Sequence, residues 1–279
     1  RRVSRLKALS RVQGTLILIP VVNTFGFLAL SRYLPDRRDL NRCFPGLENG
    51  SPASQLAHTF MSQIVAPSDY GLDLHSGAIH RSNLPQIRAN LDDEVVRKMA
   101  QAFGAPVMLN SNLRDGSLRQ SAQEVGCNML LYEAGEALRF DESSIRIGVQ
   151  GVMGVLRQVG MLPEKKPKKP ARESVQAHSS HWLRAPMSGI LRTKKSLGAT
   201  VKKGEVIALV SDPLGLSEEG VTARHAGLVI GRTNLPIVNR GDALFHIARF
   251  DHLADAEEAM ETMDADAEND PLFDSHEVT

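Results

Sequence analysis

The chain has few cysteines, little net charge and no long apolar run. Its 279 residues include two cysteines, Cys43 and Cys127, outside any C-x-x-C pattern, and carry a formal net charge of +1. Two unpaired thiols exclude a disulfide framework and favour a reducing compartment, so we expect a cytoplasmic protein. A charge near zero gives no global field to recruit nucleic acid or an anionic membrane. No apolar run approaches the ~20 residues that a membrane helix needs.

Charge of one sign is also missing at each end. No acid occurs among the first eleven residues, and no Lys or Arg follows Asp251. The basic start is compatible with a mitochondrial presequence, but we favour the end of an amphipathic helix, with Val3, Leu6 and Leu9 on one stripe. The acidic segment 251–279 has few large apolar residues and is expected to be a frayed helix or disordered.

Over residues 1–163 short apolar runs alternate with helical patterns. A composition of 42% hydrophobic residues is enough for a sizeable core. The alternation predicts an α/β fold, a mostly parallel or mixed sheet with helices on both faces. We predict strands at 16–19, 70–75, 106–109 and 129–132, and helices at 51–66, 92–104, 117–125 and 141–160.

The remaining sequence divides into a basic linker at 164–180 and a small all-β domain at 181–250. The linker is charged and broken by prolines, which favours a solvated connection; nucleic-acid binding is less favoured because no aromatic residues are interleaved. The β domain contains two similar halves and resembles the barrel-sandwich of biotinyl and lipoyl carriers. The turn between the halves, 212–220, has no modifiable lysine. We therefore expect a structural module without a swinging arm.

The candidate functional residues lie in one loop and at two strand ends. The loop 31–46 carries four arginines, and guanidinium groups pair with carboxylates at any working pH. Its composition is compatible with a carboxylate pocket and equally with a solvated basic loop, and the strand that ends at His75 favours the pocket. His75 ends one predicted strand, with Asp73 on the same face, and Glu133 follows another. Because ligands bind at the carboxyl ends of parallel strands, we expect the three segments to meet there.

Six motifs occur together in the first part of the sequence: Pro20-Val21-Val22-Asn23, Gly26-Phe27, Arg32-Tyr33, Asp39-Leu40-Asn41-Arg42-Cys43-Phe44-Pro45-Gly46, Asp73-Leu74-His75-Ser76-Gly77 and Glu133-Ala134-Gly135. Together they resemble the succinylglutamate desuccinylase/aspartoacylase family, which has the zinc carboxypeptidase-like fold. The resemblance covers most of residues 12–160, and the β module is similar to the barrel-sandwich domain of family members. It implies a deacylase that uses one zinc ion to hydrolyse the amide of an N-acyl amino acid or a similar small carboxylate.

The resemblance also implies roles for individual residues. Glu133 matches the general base that activates the attacking water. Arg32 matches the arginine that polarises the scissile carbonyl. Asn41 and Arg42 match the binders of the substrate carboxylate, and Asp39 is expected to orient the arginines.

His75 matches the last of the family's three zinc ligands. The other two lie in a His-x-x-Glu motif that occurs nowhere in this sequence, so the chain is expected to begin just after it. A catalytic zinc site needs about three protein ligands, so zinc is expected only together with the absent ones. A non-catalytic carboxylate-binding protein or an inactive fragment is therefore the alternative, although a binder has no need of Glu133. A homo-oligomer is left open.

Overall fold

The computed structural model describes residues 2–111, 115–164 and 174–268. A nine-stranded mixed sheet runs through most of these residues, and a four-stranded antiparallel sheet lies in the C-terminal part. The helices are α1 (Thr24–Ala29), α2 (Pro52–Phe60), α3 (Glu94–Phe103), α4 (Leu118–Glu124), α5 (Glu142–Gln158) and α6 (Leu253–Glu268). The strands are β1 (Tyr70–His75), β2 (Arg81–Ala89), β3 (Val107–Asn110), β4 (Asn128–Gly135), β5 (Val175–Ala177), β6 (Ser179–Arg184), β7 (Gly189–Thr193), β8 (Thr200–Val201), β9 (Val206–Ser211), β10 (Glu218–Thr222), β11 (Gly227–Thr233), β12 (Ile237–Val238) and β13 (Ala243–Arg249).

The predicted α/β class is confirmed, and α2 to α5 lie within the predicted ranges, although α2 is followed by a π-helical turn, Met61–Val65. The short helix α1 was not predicted. The Ser51 hydroxyl caps α2, with Pro52 in the first turn, and the Asp93 carboxylate caps α3. Gly104 ends α3 in the left-handed region, with φ +72°. The apolar stripes of α3 and α5 pack over β2, β3 and β4 and form the main core.

The parallel pair β1 and β4 positions two of the candidate residues. These strands run in register from Tyr70 opposite Asn128 to His75 opposite Glu133. Neighbouring residues of a parallel pair face the same side of the sheet. His75 and Glu133 are therefore adjacent residues on one face, at the end where both strands stop.

The predicted strand at 16–19 is wrong. Its backbone is extended but joins no ladder among the described residues, and Ile17, Leu18 and Ile19 are between 37% and 46% exposed. A continuous apolar run predicts a buried strand only when strands pair with it on both sides. In the described sheet β1 is the edge strand and pairs with β4 alone, so the run at 16–19 does not lie between two described strands.

The predicted N-terminal helix is replaced by two 3₁₀ turns, Val3–Arg5 and Lys7–Arg11. The predicted apolar stripe is nevertheless present, because Val3, Leu6 and Leu9 pack against the buried side of α5. The apolar pattern therefore predicted correctly which residues pack against α5, but wrongly predicted an α-helix in place of 3₁₀ turns.

Strand β2 was not predicted, although it lies at the centre of the sheet. It pairs antiparallel with β4 and parallel with β3. Pro85 lies inside it, and proline is ordinarily confined to strand edges and bulges. Here the register with β4 shifts between Asn83 and Gln86, so the proline sits at an irregularity where a ladder hydrogen bond is not required.

The internal repeat of the C-terminal module is confirmed by two equivalent crossed contacts. The amide of Gly204 donates to the Ala223 carbonyl at 2.8 Å, and the amide of Gly241 donates to the Ala185 carbonyl at 2.9 Å. Both glycines have positive φ, +83° and +90°, which suits a residue without a Cβ. Each half thus places its turn against the start of the other half.

The module is joined to the α/β sheet by direct strand pairing. Residues 231–233 of β11 pair antiparallel with 81–83 of β2, and β5 pairs parallel with β3. The linker expected at 164–180 therefore ends earlier than predicted, since 175–177 is a strand; residues 165–173 lie outside the described residues. The division into domains at 1–163 and 181–250 stays a prediction.

The expected tail at 251–279 begins with the helix α6. Ala256 and Met260 are buried against Leu228 and Ile230 of β11, so these turns are packed. The helix agrees with one of the two expectations for this segment, a frayed helix or disorder, and it packs because its few apolar residues fall on one side. Residues 269–279 lie outside the described part. Among the described residues, no helix has both the length and the apolar character that crossing a membrane requires.

Candidate active site

The imidazole of His75 is held by a carboxylate of its own strand. Its Nε2 lies 2.8 Å from Oδ2 of Asp73, and both side chains are about one-fifth exposed, 22% and 19%. The contact follows from the alternation of β1, which places residues 73 and 75 on one face. Asp73 therefore fixes the orientation of the ring.

The electrostatics of His75 indicate which groups surround it. Burial is the largest effect and lowers the pKa of His75, but the hydrogen bond and charge of Asp73 and the charge of Glu133 together raise the pKa above its ordinary value. The positive charge of Arg32 acts in the opposite direction. The β4 glutamate is opposite His75 in the sheet, and the charge of the loop arginine acts on the same imidazole. A single cavity shared by the three segments stays a prediction.

Glu133 is held by two side chains of β2. Nε of Arg88 lies 2.9 Å from Oε2 of Glu133, an ion pair by distance in which the N–H is not aimed at the oxygen. Nδ2 of Asn83 donates to the same Oε2 at 3.4 Å. Both contacts within the described residues use Oε2, which leaves Oε1 to accept a proton or a hydrogen bond from another group. Sequence reasoning missed Arg88 and Asn83 because it missed their strand.

Arg32 is held by Asp39 of the same loop. Nε and Nη2 of Arg32 lie 3.0 Å and 2.9 Å from Oδ2 of Asp39. The other oxygen of Asp39 accepts from the Asn41 amide at 3.0 Å and caps a short 3₁₀ turn. Arg32 remains 49% exposed, so it is restrained on one side and accessible to a ligand on the other.

Asn41 and Arg42 follow in the same turn. Oδ1 of Asn41 accepts from the Leu118 amide at 2.9 Å, at the first residue of α4. With its oxygen engaged there, the amide nitrogen of Asn41 is the end that can donate to a substrate. Arg42 is exposed and donates to the carbonyl of Asn41. Both residues offer donors, which suits an anionic group.

The zinc ion implied by the resemblance does not fit the described residues by themselves. No group of three or more His, Cys, Asp and Glu side chains in the described part of the chain could hold a metal ion. His75 and Asp73 make a pair, which is fewer than the about three protein ligands of a catalytic zinc site. The chemistry below is therefore derived without the metal.

Comparison with known proteins places this arrangement in a family. Residues 2–159 match the Succinylglutamate desuccinylase/Aspartoacylase catalytic domain. The chain is 29% identical over 257 residues to the N-alpha-acetyl-L-2,4-diaminobutyric acid deacetylase of Halomonas elongata, covering 88% of this chain and 75% of that protein.

Solved structures agree with this assignment. The product-bound ectoine utilization protein EutE of Ruegeria pomeroyi superposes with a TM-score of 0.78 at 26% identity, covering 86% of this chain and 76% of the other. A succinylglutamate desuccinylase from Silicibacter gives a TM-score of 0.76 at 28% identity, with the same two coverages of 86% and 76%.

A mixed sheet with polar side chains at the carboxyl ends of β1 and β4 defines an α/β enzyme with its site at the sheet edge. The chain belongs to the succinylglutamate desuccinylase/aspartoacylase family, because the family match spans more than half of its 279 residues. Members of this family are amide-bond deacylases, among them the deacetylase from Halomonas elongata.

Proposed function

We propose that this protein is a deacylase that hydrolyses the amide bond of a small N-acyl amino acid. The observation that carries the proposal is the pairing of His75 with Glu133 at the end of β1 and β4, within electrostatic range of Arg32. Attack by water on a carbonyl requires a base that accepts the proton of the water and a cation that stabilises the carbonyl oxygen. Glu133 and Arg32 are groups of these two kinds, and the charges of both act on His75.

The described residues divide the reaction between them. Glu133 takes a proton from the attacking water as the water oxygen bonds to the amide carbon. Arg32 stabilises the negative charge that develops on the carbonyl oxygen. Glu133 then returns the proton to the nitrogen, and the C–N bond breaks to release a carboxylic acid and an amine, which leave as carboxylate and ammonium once the acid has given its proton to the amine. Asn41 and Arg42 bind the carboxylate of the amino acid, and Asp39 keeps Arg32 in place.

Dependence on zinc stays a prediction. His75, oriented by Asp73 at 2.8 Å, is suited to one coordination position. The described residues do not supply a set of three ligands. The same shortage favours the second candidate, a protein that binds small carboxylates through Arg32 and Arg42 without turnover.

An assay of the purified protein separates the two candidates. N-acetyl-L-2,4-diaminobutyrate, N-acetyl-aspartate and N-succinyl-glutamate are incubated with the protein, and released amine is measured alongside binding by calorimetry. We expect saturable release of amine from at least one of these compounds. Binding without release would support the carboxylate-binding protein and contradict the deacylase. Repeating the assay with a chelator, and then with added zinc, tests the metal dependence separately.

Replacing Arg42 by alanine is expected to raise KM by about ten- to a hundredfold with little change in kcat. A hydrogen bond between charged groups contributes roughly 1.5–3 kcal/mol, and a carboxylate remote from the scissile bond is held equally in the ground and transition states. Steady-state kinetics check this. Arg42→Lys keeps the charge without the planar fork, so its KM should lie between that of the unchanged protein and that of Arg42→Ala. A fall in kcat at constant KM would show that Arg42 acts on the reacting atoms instead.

A further inference from the structure

We propose that the C-terminal β module positions the base Glu133 through two side chains, His246 of β13 and Arg88 of β2. The proposal rests on the proposed function and adds to it, because it assigns what holds the base in place. It also gives the module a role in the reaction beyond folding. The argument follows one face of the shared sheet from Glu133 into the module.

Strand register puts these side chains on one face. Glu133 is opposite Gln86 in the β4–β2 pair, and Arg88 follows Gln86 on the same side of β2. In the β11–β13 pair, Gly231 is opposite His246. Gly231 is also opposite Asn83 of β2. The register shifts between Asn83 and Gln86 and between Val229 and Gly231, so the link from the base to His246 rests on the side-chain contacts below and not on register alone.

Arg88 connects the base to the module. Its Nε lies 2.9 Å from Oε2 of Glu133, and the two side chains are 20% and 21% exposed. Its Nη2 lies 3.4 Å from Oε1 of Gln86, which is fully buried. The amide nitrogen of Gln86 donates to the carbonyls of Leu84 and Ile230, each at 3.1 Å. Because Ile230 belongs to β11, the module already restrains the residue beside Arg88.

His246 restrains the far side of the guanidinium. Its Nδ1 lies 3.5 Å from Nη2 of Arg88, at the long end of hydrogen-bond distances, and the residue is 4% exposed. Burial, assisted by the nearby charges of Arg88 and His181, lowers the pKa of His246 to about 3. A neutral imidazole with its proton on Nε2 accepts at Nδ1. The Arg88 guanidinium therefore faces a hydrogen-bond acceptor at His246 and not a second positive charge.

The ring plane of His246 is itself fixed. The ring stacks on Trp182 with centroids 4.7 Å apart and planes 9° from parallel, and the guanidinium of Arg81 lies 5.2 Å from the Trp182 ring. Gly231 of β11 leaves no room for a side chain here, because a Cβ added at this residue would lie 3.2 Å from Cβ of His246 and 2.9 Å from Oδ1 of Asn83. Both groups that contact Glu133 are therefore packed against the module.

The expected consequence concerns orientation and not substrate binding. Without an acceptor at position 246, Arg88 can swing away from Glu133, and the carboxylate can adopt other rotamers. A displacement of about 1 Å at a reacting group can lower the rate by roughly a hundredfold. We expect the loss of one remote contact to have a smaller effect than that.

The test compares two substitutions of the same histidine. His246→Leu fills the space without an acceptor and is expected to lower kcat about tenfold at unchanged KM, without lowering the melting temperature. His246→Asn places an amide oxygen close to the former Nδ1 and should restore most of kcat. Equal losses in both variants would overturn the proposal, because they would indicate packing alone. The proposal would also be overturned if His246→Leu changed only KM, or if it left kcat unchanged.

Three controls keep the result specific. His181→Leu replaces a histidine of the adjacent strand β6. The His181 ring packs against the His225 ring, with centroids 5.5 Å apart, and the variant should leave kcat unchanged. Trp182 is the single tryptophan of the chain, so its fluorescence reports whether the packing around position 246 is preserved. In a Glu133→Gln background, His246→Leu should have no further effect. If Glu133→Gln leaves turnover intact, the proposed function fails; if it stops turnover and His246→Leu does not slow it, only the positioning role fails.

Discussion

Replacing Glu133 by glutamine is expected to lower kcat by about a hundred- to ten-thousandfold, the range in which a general base contributes. Glutamine has the same shape, and its carbonyl oxygen can still face Arg88, so the fold should persist. It cannot accept the proton of the attacking water. Steady-state kinetics of the variant measure the loss of kcat, and its thermal denaturation shows whether the fold persists.

Two further variants sharpen this prediction. Glu133→Asp keeps the base but draws the carboxylate back by one methylene from Arg88 Nε, now 2.9 Å from it, and should retain partial activity. Glu136→Gln removes a carboxylate just beyond β4 that contacts the His80 amide at 3.0 Å and the Asn234 side chain at 2.9 Å, and should retain most of it. A similar loss in Glu133→Gln and Glu136→Gln would mean that negative charge at this sheet edge, and not a specific base, matters.

The sequence predicted those parts of the fold that depend on neighbouring residues. Apolar periodicity and caps located α2 to α5, because burial on one face and satisfaction of free amides are local requirements. They failed at 16–19 and at β2, where the outcome depends on which strands lie alongside. Pro85 is unfavourable in a strand by local criteria and is tolerated because the ladder is irregular there.

The same distinction applies to the candidate site. The position of Arg32 does not follow from strand geometry, because the strand predicted at 16–19, before its loop, joins no described ladder. His75 and Glu133 could be placed together because the parallel strands β1 and β4 end side by side. The partners of Glu133 could not, since Arg88 lies on the strand that was missed. His246 is 158 residues further along the chain from Arg88. Sheet pairing brings those two residues together, and no short-range pattern records such a pairing.

Replacing Arg32 by methionine is expected to lower kcat by about a hundred- to a thousandfold, as loss of one oxyanion donor does elsewhere. Methionine keeps much of the stem and removes the guanidinium, and the effect should fall on kcat because the charge on the carbonyl oxygen is greatest in the transition state.

The pairing of Arg32 with Asp39 makes this prediction more specific. Asp39→Asn leaves the guanidinium in place but replaces the carboxylate oxygen that lies 3.0 Å and 2.9 Å from its nitrogens. A smaller loss of kcat is therefore expected in Asp39→Asn than in Arg32→Met. Arg37→Met removes an exposed arginine of the same loop and should leave kcat unchanged. If Arg37→Met and Arg32→Met lose activity equally, the loop acts through its summed positive charge, and Arg32 has no particular place at the carbonyl oxygen.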